Sequence, residues 1–229
     1  MPLALITGAS KGLGRALAHG LAERGWSLVL DARGADALNA VAHSLPGGVT
    51  AIAGDVVDPR HREALAAAVR RHGRLDLLVN NASYLGPSPM PSLAEYPLGE
   101  LSRVYEVDVI APLALIQDVL PLLAENAAVL NISSDAAVEA YAGWGGYGPA
   151  KAALDHLTAV LALEQPGRSM YAVDPGDMRT EMHQAAFPGE DISDRVEPES
   201  VVPAVLRLLE QRPASGRYRA SEFAIEAVR

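Results

Sequence analysis

The chain has 229 residues, 49% of them hydrophobic and 21% charged, with a formal net charge of −9. That supplies enough apolar material for a sizeable core, and the acidic balance excludes the broad basic face with which nucleic-acid binders neutralise phosphates. The absence of cysteine excludes disulfides and thiolate metal sites, as suits a reducing compartment.

Apolar runs suited to buried strands alternate with stretches of helical spacing. In chain order, Leu3–Thr7 precedes a helix over Gly12–Arg24, Ser27–Asp31 precedes Ala35–Ser44, and Val49–Ala53 precedes Pro59–His72. Leu75–Asn80 then precedes a long helix over Leu98–Leu123, Ala127–Ser133 precedes Gly146–Leu163, and Ser169–Asp174 precedes Val201–Gln211. Such alternation predicts parallel strands joined by crossovers with both sheet faces covered: an α/β, Rossmann-type doubly wound parallel sheet in three α/β/α layers. Residues 1–229 read as one domain without repeats or linkers, and Ala214–Arg229 offers one more edge strand.

The start, Met1 to Thr7, has neither the basic beginning nor the apolar length of a signal peptide. The most membrane-like segment, Val109–Leu130, is interrupted by Pro112, Gln117, Asp118, Pro121, Glu125 and Asn126. A cytoplasmic protein without a membrane partner is therefore expected. Two connections longer than usual, at about 84–97 and 182–198, follow predicted strands, where loops of a parallel sheet commonly shape a ligand site.

The first strand runs into Gly8-Ala9-Ser10-Lys11-Gly12-Leu13-Gly14 before a helix opens. Glycines at that junction admit unusual backbone angles, let a pyrophosphate approach the main chain, and leave the free N–H groups of the helix pointing at the anion. The spacing is Gly-x-x-x-Gly-x-Gly rather than the commoner Gly-x-Gly-x-x-Gly. Further along, Tyr147 and Lys151 stand four residues apart, on one face of a helix whose start is marked by Pro149. A free phenol has a pKa near ~10, and a fixed ammonium beside it favours the phenolate.

With these motifs, and with Asp55-Val56, Asn80-Asn81-Ala82, Ser134 and Pro175-Gly176 in the expected order, the sequence resembles the short-chain dehydrogenase/reductase family over nearly its whole length. The resemblance implies a sheet of about seven strands in the order 3-2-1-4-5-6-7. It assigns Gly8, Ser10, Lys11, Gly12, Leu13 and Gly14 to the cofactor turn, Asp55 and Val56 to the adenine edge, and Asn81 and Ala82 to the adenosine ribose region. It also implies that Pro175, Gly176 and Thr180 close over the nicotinamide, with Thr180 on the carboxamide.

By the same resemblance Tyr147 is the proton donor, Lys151 lowers its pKa and holds the nicotinamide ribose, and Ser134 orients the substrate carbonyl, with Ser133 the candidate if the register slips by one. The family's fourth catalytic position, an asparagine whose main chain holds a water in the relay to lysine, is Asp108 here. A main-chain carbonyl serves from an aspartate as well; if the amide donor is what fixes the helix, low activity or an altered pH dependence is expected. Ser83 stands where the family usually has glycine. No metal is implied.

Cofactor choice turns on Leu28–Arg33. Asp31 lies close to the distance at which an acid binds the ribose 2′-hydroxyl of NAD, but the family's NAD-selecting position matches Ala32, and Arg33 follows the pattern of NADP-preferring members. Lys11 can join Arg33 on a 2′-phosphate. The expectation is NADP(H), with NAD(H) possible, and a small carbonyl or secondary-alcohol substrate in an apolar pocket near Tyr84, Leu85, Met90, Val138, Tyr141, Trp144, Met182, His183 and Phe187. Rival readings are an NAD-dependent alcohol dehydrogenase on the same site and a cofactor-sensing protein without turnover. A homodimer or homotetramer is expected from the family, through the helices at Leu98–Leu123 and Gly146–Leu163.

Overall fold

A computed structural model describes residues 1–224. Seven parallel strands form one sheet in the order β3-β2-β1-β4-β5-β6-β7, comprising β1 (Leu3–Ile6), β2 (Ser27–Ala32), β3 (Val49–Ala53), β4 (Leu75–Asn80), β5 (Leu123–Ile132), β6 (Ser169–Asp174) and β7 (Gly216–Arg219). The helices are α1 (Gly12–Ala22), α2 (Ala35–Ser44), α3 (Pro59–His72), α4 (Leu98–Tyr105), α5 (Ala111–Val119), α6 (Tyr147–Glu164), α7 (Glu181–Ala186) and α8 (Pro198–Gln211). The expected α/β sheet and its strand order are therefore present.

The two-residue period of a strand divides the core into two layers. From β1, Ala4 and Ile6 join Leu17 and Leu21 of α1 and Val202, Val205 and Leu206 of α8 on one face. Leu3 and Leu5 join Leu65 and Val69 of α3 and Leu115, Ile116 and Val119 of α5 on the other. The helix pair α1 and α8 packs so closely that a Cβ at Gly20 would lie 2.6 Å from Val202. Helix α3 begins as its sequence suggests, with the Asp58 side chain accepting from the Arg60 N–H at 2.9 Å and Pro59 in the first turn.

Several boundaries differ from expectation. The long helix over Leu98–Leu123 is instead α4, a π-helical turn over Glu106–Ile110, α5 and a 3-10 turn over Leu120–Leu122, and β5 begins at Leu123 rather than Ala127. Pro112 and Pro121 account for the interruptions, since each lacks an N–H and clashes with the preceding turn. Within the polar connection at 182–198 a short helix, α7, forms because Thr180 caps it, accepting from the His183 N–H at 3.1 Å. Helix α8 starts at Pro198, three residues before the apolar pattern does, with proline in its first turn. The edge strand sought in Ala214–Arg229 is β7, followed by a 3-10 turn over Ala220–Phe223; residues 225–229 lie outside the described part. Among the described residues no helix is long and apolar enough to cross a membrane.

Candidate active site

A cavity of about 710 Å³ runs along the carboxyl edge of the sheet, from Arg33 and the glycine turn at one end to Trp144, Met182 and His183 at the other. Of the sequence-predicted site residues, all but Gly14 and Asp108 line it directly. Asp108 is fully buried directly behind its wall.

The glycine turn is held by the end of β4. Thr7 Oγ1 accepts from the N–H groups of Asn81 and Ala82, both at 3.0 Å, and the Asn81 amide donates to the carbonyls of Thr7 and Gly8 at 2.9 and 3.1 Å. A Cβ at Gly14 would lie 2.4 Å from the Gly8 carbonyl oxygen and 2.5 Å from the Asn81 amide, so that helix start can approach only as glycine. Gly8 and Gly12 adopt φ of 65° and 54°, a region that disfavours other residues. Helix α1 has no side-chain cap and no acid in its first turn; its orphan N–H groups are left to an anion. These donors, lining the same cavity as Arg33 on one side and Tyr147 and Lys151 on the other, fit a dinucleotide pyrophosphate. The side chain of Asn81, expected at the ribose, is committed to the turn.

At the tip of β2, Asp31 points away from solvent. Its carboxylate meets His61 Nε2 at 2.6 Å and receives the Gly8 N–H. Burial raises its pKa, with the His61 bond pulling the other way. His61 reaches it across Gly54, where a Cβ would collide with the ring at 2.2 Å. Arg33 is exposed on the cavity wall and forms no ion pair among the described residues. Lys11 pairs with Glu181 of α7 across the cleft, both ends exposed. Asp55 closes a turn by accepting from the Val57 N–H at 3.0 Å.

At the other end α6 delivers Tyr147 and Lys151 into one buried cluster. Lys151 Nζ donates to the Ile132 carbonyl at 3.0 Å, lies 3.2 Å from Asp108 Oδ1 and stands 5.3 Å from the centre of the Tyr147 ring. Gly148 lets this helix pack on the turn after β5, since a Cβ there would lie 2.7 Å from the Ala136 carbonyl oxygen. Burial raises the pKa of Tyr147; Lys151 opposes this, and Asp108 adds to it. The expectation that Lys151 leaves the phenol more acidic than usual is thus corrected: its pull is present and burial outweighs it. Burial also works against the charge of Lys151, but Tyr147 and Asp108 overcome it and the net shift is upward.

Ser134, at the end of β5, donates to Asp135 Oδ1 at 2.9 Å and accepts from the Ala136 N–H at 3.2 Å. Ser133 is buried beside Asp155. Gly176, with φ of 76°, donates its N–H to Asp174 at 2.9 Å, closing the turn after Pro175. The Thr180 hydroxyl, expected on a carboxamide, is the cap of α7.

A profile of the short chain dehydrogenase family matches residues 2–191. The chain belongs to the short-chain dehydrogenase/reductase family. It is 37% identical over 196 residues to the rhamnolipids biosynthesis 3-oxoacyl-[acyl-carrier-protein] reductase of Pseudomonas aeruginosa, covering 79% of this chain and 74% of that one. It is 35% identical over 199 residues to the sepiapterin reductase of Rattus norvegicus, with 80% and 76% covered. The crystal structure of a short-chain dehydrogenase from Shigella flexneri in complex with NADP superposes with a TM-score of 0.89 at 28% identity, over 96% of this chain and 97% of that one. The protein is accordingly an NAD(P)-dependent short-chain dehydrogenase/reductase.

Two features of this short-chain dehydrogenase/reductase escape sequence reasoning. Arg217 of β7 donates to the Ser134 carbonyl and to Asp155, each at 2.9 Å, and to Asp174 at 3.4 Å, tying the last strand to α6, to β6 and to the serine turn. Its only signal is an arginine in an unremarkable edge segment. Asp108 meets Lys151 through its carboxylate, a contact that the sequence does not signal; the carboxylate also accepts from the Tyr84 N–H at 3.2 Å and from the Ser83 hydroxyl.

Proposed function

We propose that this chain is an NADP(H)-dependent carbonyl reductase, transferring a hydride between nicotinamide and a carbonyl or secondary alcohol. The observation that carries this reading is the burial of Tyr147 and Lys151 together at one end of the cavity whose other end is the glycine turn. When bound, the nicotinamide supplies the hydride, which is the cofactor's own chemistry. The glycine turn and the first N–H groups of α1 hold its pyrophosphate, and Lys151 its ribose.

Tyr147 gives its proton to the carbonyl oxygen as negative charge grows there. The Ser134 hydroxyl turns from Asp135 to donate to the same oxygen and stabilise that charge. Lys151 keeps a positive charge beside the phenolate that results. The expected apolar character of the pocket agrees with Leu85, Tyr147 and Ala186 packing with Trp144, Met182 and Phe187 in one cluster.

The preference for NADP(H) over NAD(H) rests on the sequestration of Asp31. Its carboxylate is occupied by His61 and Gly8, so it is a poor acceptor for a 2′-hydroxyl, while Arg33 is free for a phosphate. The Shigella relative holds NADP. A single domain is supported by one sheet containing every strand described. Ile110, Val160 and Leu163, exposed at 49%, 37% and 83%, support a homo-oligomer through the α5 and α6 surface.

Fluorescence titration with NADPH and NADH, followed by NADPH oxidation with a panel of ketones, aldehydes and diketones, tests the reading. Tighter binding of NADPH, with reduction abolished by Tyr147→Phe, is the expected result. Equal or tighter binding of NADH removes the cofactor preference. Reduction that survives Tyr147→Phe removes the proposed acid.

A further inference from the structure

Positions 83 and 108 both depart from the residues the family resemblance leads one to expect, glycine and asparagine, and in the structure the two departures touch. The Ser83 hydroxyl donates to Asp108 Oδ1. Asp108 is fully buried, in the π-helical turn between α4 and α5, a distortion that recurs at functional sites. Pro112, four residues on, deprives the Asp108 carbonyl of its usual helical donor. The other oxygen of the carboxylate takes the Tyr84 N–H at 3.2 Å, and the ammonium of Lys151 lies 3.2 Å from Oδ1.

A buried carboxylate is retained as an anion only where donors and a counter-charge compensate its desolvation. Here the serine, a backbone N–H and the ammonium all oppose that cost, while burial still holds the carboxyl above its ordinary pKa. The two substitutions are therefore coupled: without the serine the acid would lose one of its donors, and without the acid the serine would keep only the Tyr147 oxygen as a neighbour there.

The pair alters what Tyr147 experiences. A neutral amide at 108 would leave Lys151 as a lone cation beside the phenol; a carboxylate makes it one half of an ion pair. The other ionisable groups facing this cluster are Asp135 after β5, Asp155 on α6 and Tyr96 from the segment before α4. Among the described residues Arg217 is paired with Asp155, so Lys151 is the cation nearest the phenol; Lys151 and the Ser83 hydrogen bond favour the phenolate, and burial, Asp108 and Asp135 oppose it.

We infer that Ser83 and Asp108 are a matched positioning pair that pins the Lys151 ammonium in a buried ion pair, keeps Tyr147 protonated, and thereby biases this site toward carbonyl reduction over alcohol oxidation. Reduction needs the phenol as acid, and oxidation needs the phenolate as base, so the protonation state sets the direction the site favours at a given pH. In reduction one proton leaves the Tyr147 hydroxyl for the substrate oxygen, and water reloads the phenolate when the product departs. Ser83 and Asp108 lose and gain no atoms. The inference rests on the reductase reading for its directional consequence, and on the geometry alone for its electrostatic one.

The test is a tyrosinate absorbance titration near 295 nm of the NADP-loaded protein, with the signal of Tyr147 isolated by subtracting Tyr147→Phe. The wild type is compared with Asp108→Asn and with the double variant Ser83→Gly/Asp108→Asn. Folding is checked by circular dichroism and NADPH binding. Removing the carboxylate should move ionisation of the coupled Tyr147 and Lys151 pair to lower pH, by about one pH unit or more, and Asp108→Glu should return it part of the way.

Where turnover of a ketone and its alcohol is measurable, the ratio of kcat for oxidation to kcat for reduction, each at saturating substrate and cofactor, should rise at neutral pH by up to about tenfold for each pH unit moved. Folded variants whose Tyr147 titrates where the wild type does overturn the inference, whether or not any carbonyl is reduced. Loss of the reductase reading shows itself separately, as reduction that persists in Tyr147→Phe.

Discussion

The Asp31 carboxylate and the His61 imidazole meet at 2.6 Å inside the shell of the protein, 30 residues apart in sequence, next to Ala32, the position that the family resemblance makes cofactor-selecting. His61→Ala removes one partner of a buried acid and leaves the other in place. Asp31 then has two courses, protonation or rotation toward the cleft, and rotation places a carboxylate where a 2′-phosphate would sit. NADPH affinity should fall relative to NADH, measured as the ratio of the two dissociation constants. Stability should drop by about 1–3 kcal/mol, the cost of an orphaned buried polar group, read by urea denaturation.

Arg33→Ala should weaken NADPH at least about tenfold, the scale of one lost charge-assisted bond, and leave NADH nearly unchanged. Lys11 is the second cation, and its pairing with Glu181 is no obstacle to this role. Both ends of that pair are exposed, and such pairs contribute only about 0–1 kcal/mol. Glu181→Gln should therefore strengthen NADPH binding slightly, by no more than a few-fold, with the gain shrinking as salt is raised. Parallel titrations at low and high ionic strength check both statements.

The path from sequence to site is readable where local chemistry decides and obscure where distant contacts do. Strand and helix order, the glycine turn, and the joint delivery of Tyr147 and Lys151 by one helix follow from periodicity and from the steric needs of a tight turn. The break of the long predicted helix at residues 106–110 was carried by Pro112, whose missing N–H is visible in the sequence but whose consequence for Asp108 is not. Asp31 offered no local sign that its partner would be His61, because that contact depends on the β2 and β3 register and on Gly54 leaving room for a ring. Arg217 lies in an edge strand whose pattern is weak, and its three acceptors come from three separate elements. The hydroxyls of Thr180 and Ser134 were expected to face a ligand; in the structure they cap α7 and bond Asp135.

Arg217→Met tests the clamp on the serine turn. The guanidinium neutralises Asp155 and Asp174 and holds the Ser134 carbonyl, so its loss leaves Asp155 without its ion-pair partner and Asp174 with only the longer pair to Arg219 at 3.8 Å. Carbonyl reduction should fall in kcat by more than KM rises, because the geometry of the serine hydroxyl matters most when charge grows on the substrate oxygen. Arg217→Lys should recover part of the stability and less of the rate, since an ammonium cannot reproduce a planar fork serving several acceptors. Steady-state kinetics with denaturation of both variants decides the point.

Lys151→Met gives a prediction in pH. The methionine preserves much of the volume but strands the Asp108 carboxylate, which is fully buried, without its counter-ion. Burial already pushes the pKa of Asp108 above its ordinary 3.8, and without the ammonium that had been pulling it down the shift must grow. A carboxyl whose folded pKa lies above its unfolded value binds more protons folded than unfolded across that interval, so stability falls as pH rises through it. The variant should be close to wild-type stability near pH 4 and lose about 3–5 kcal/mol toward neutrality, the scale of a broken buried ion pair. Adding Asp108→Asn should flatten the loss, because the amide has no proton to surrender. Thermal unfolding of the two variants from pH 4 to 8 checks this, and parallel curves for the single and double variants would show that the ion pair is not what holds Asp108 ionised.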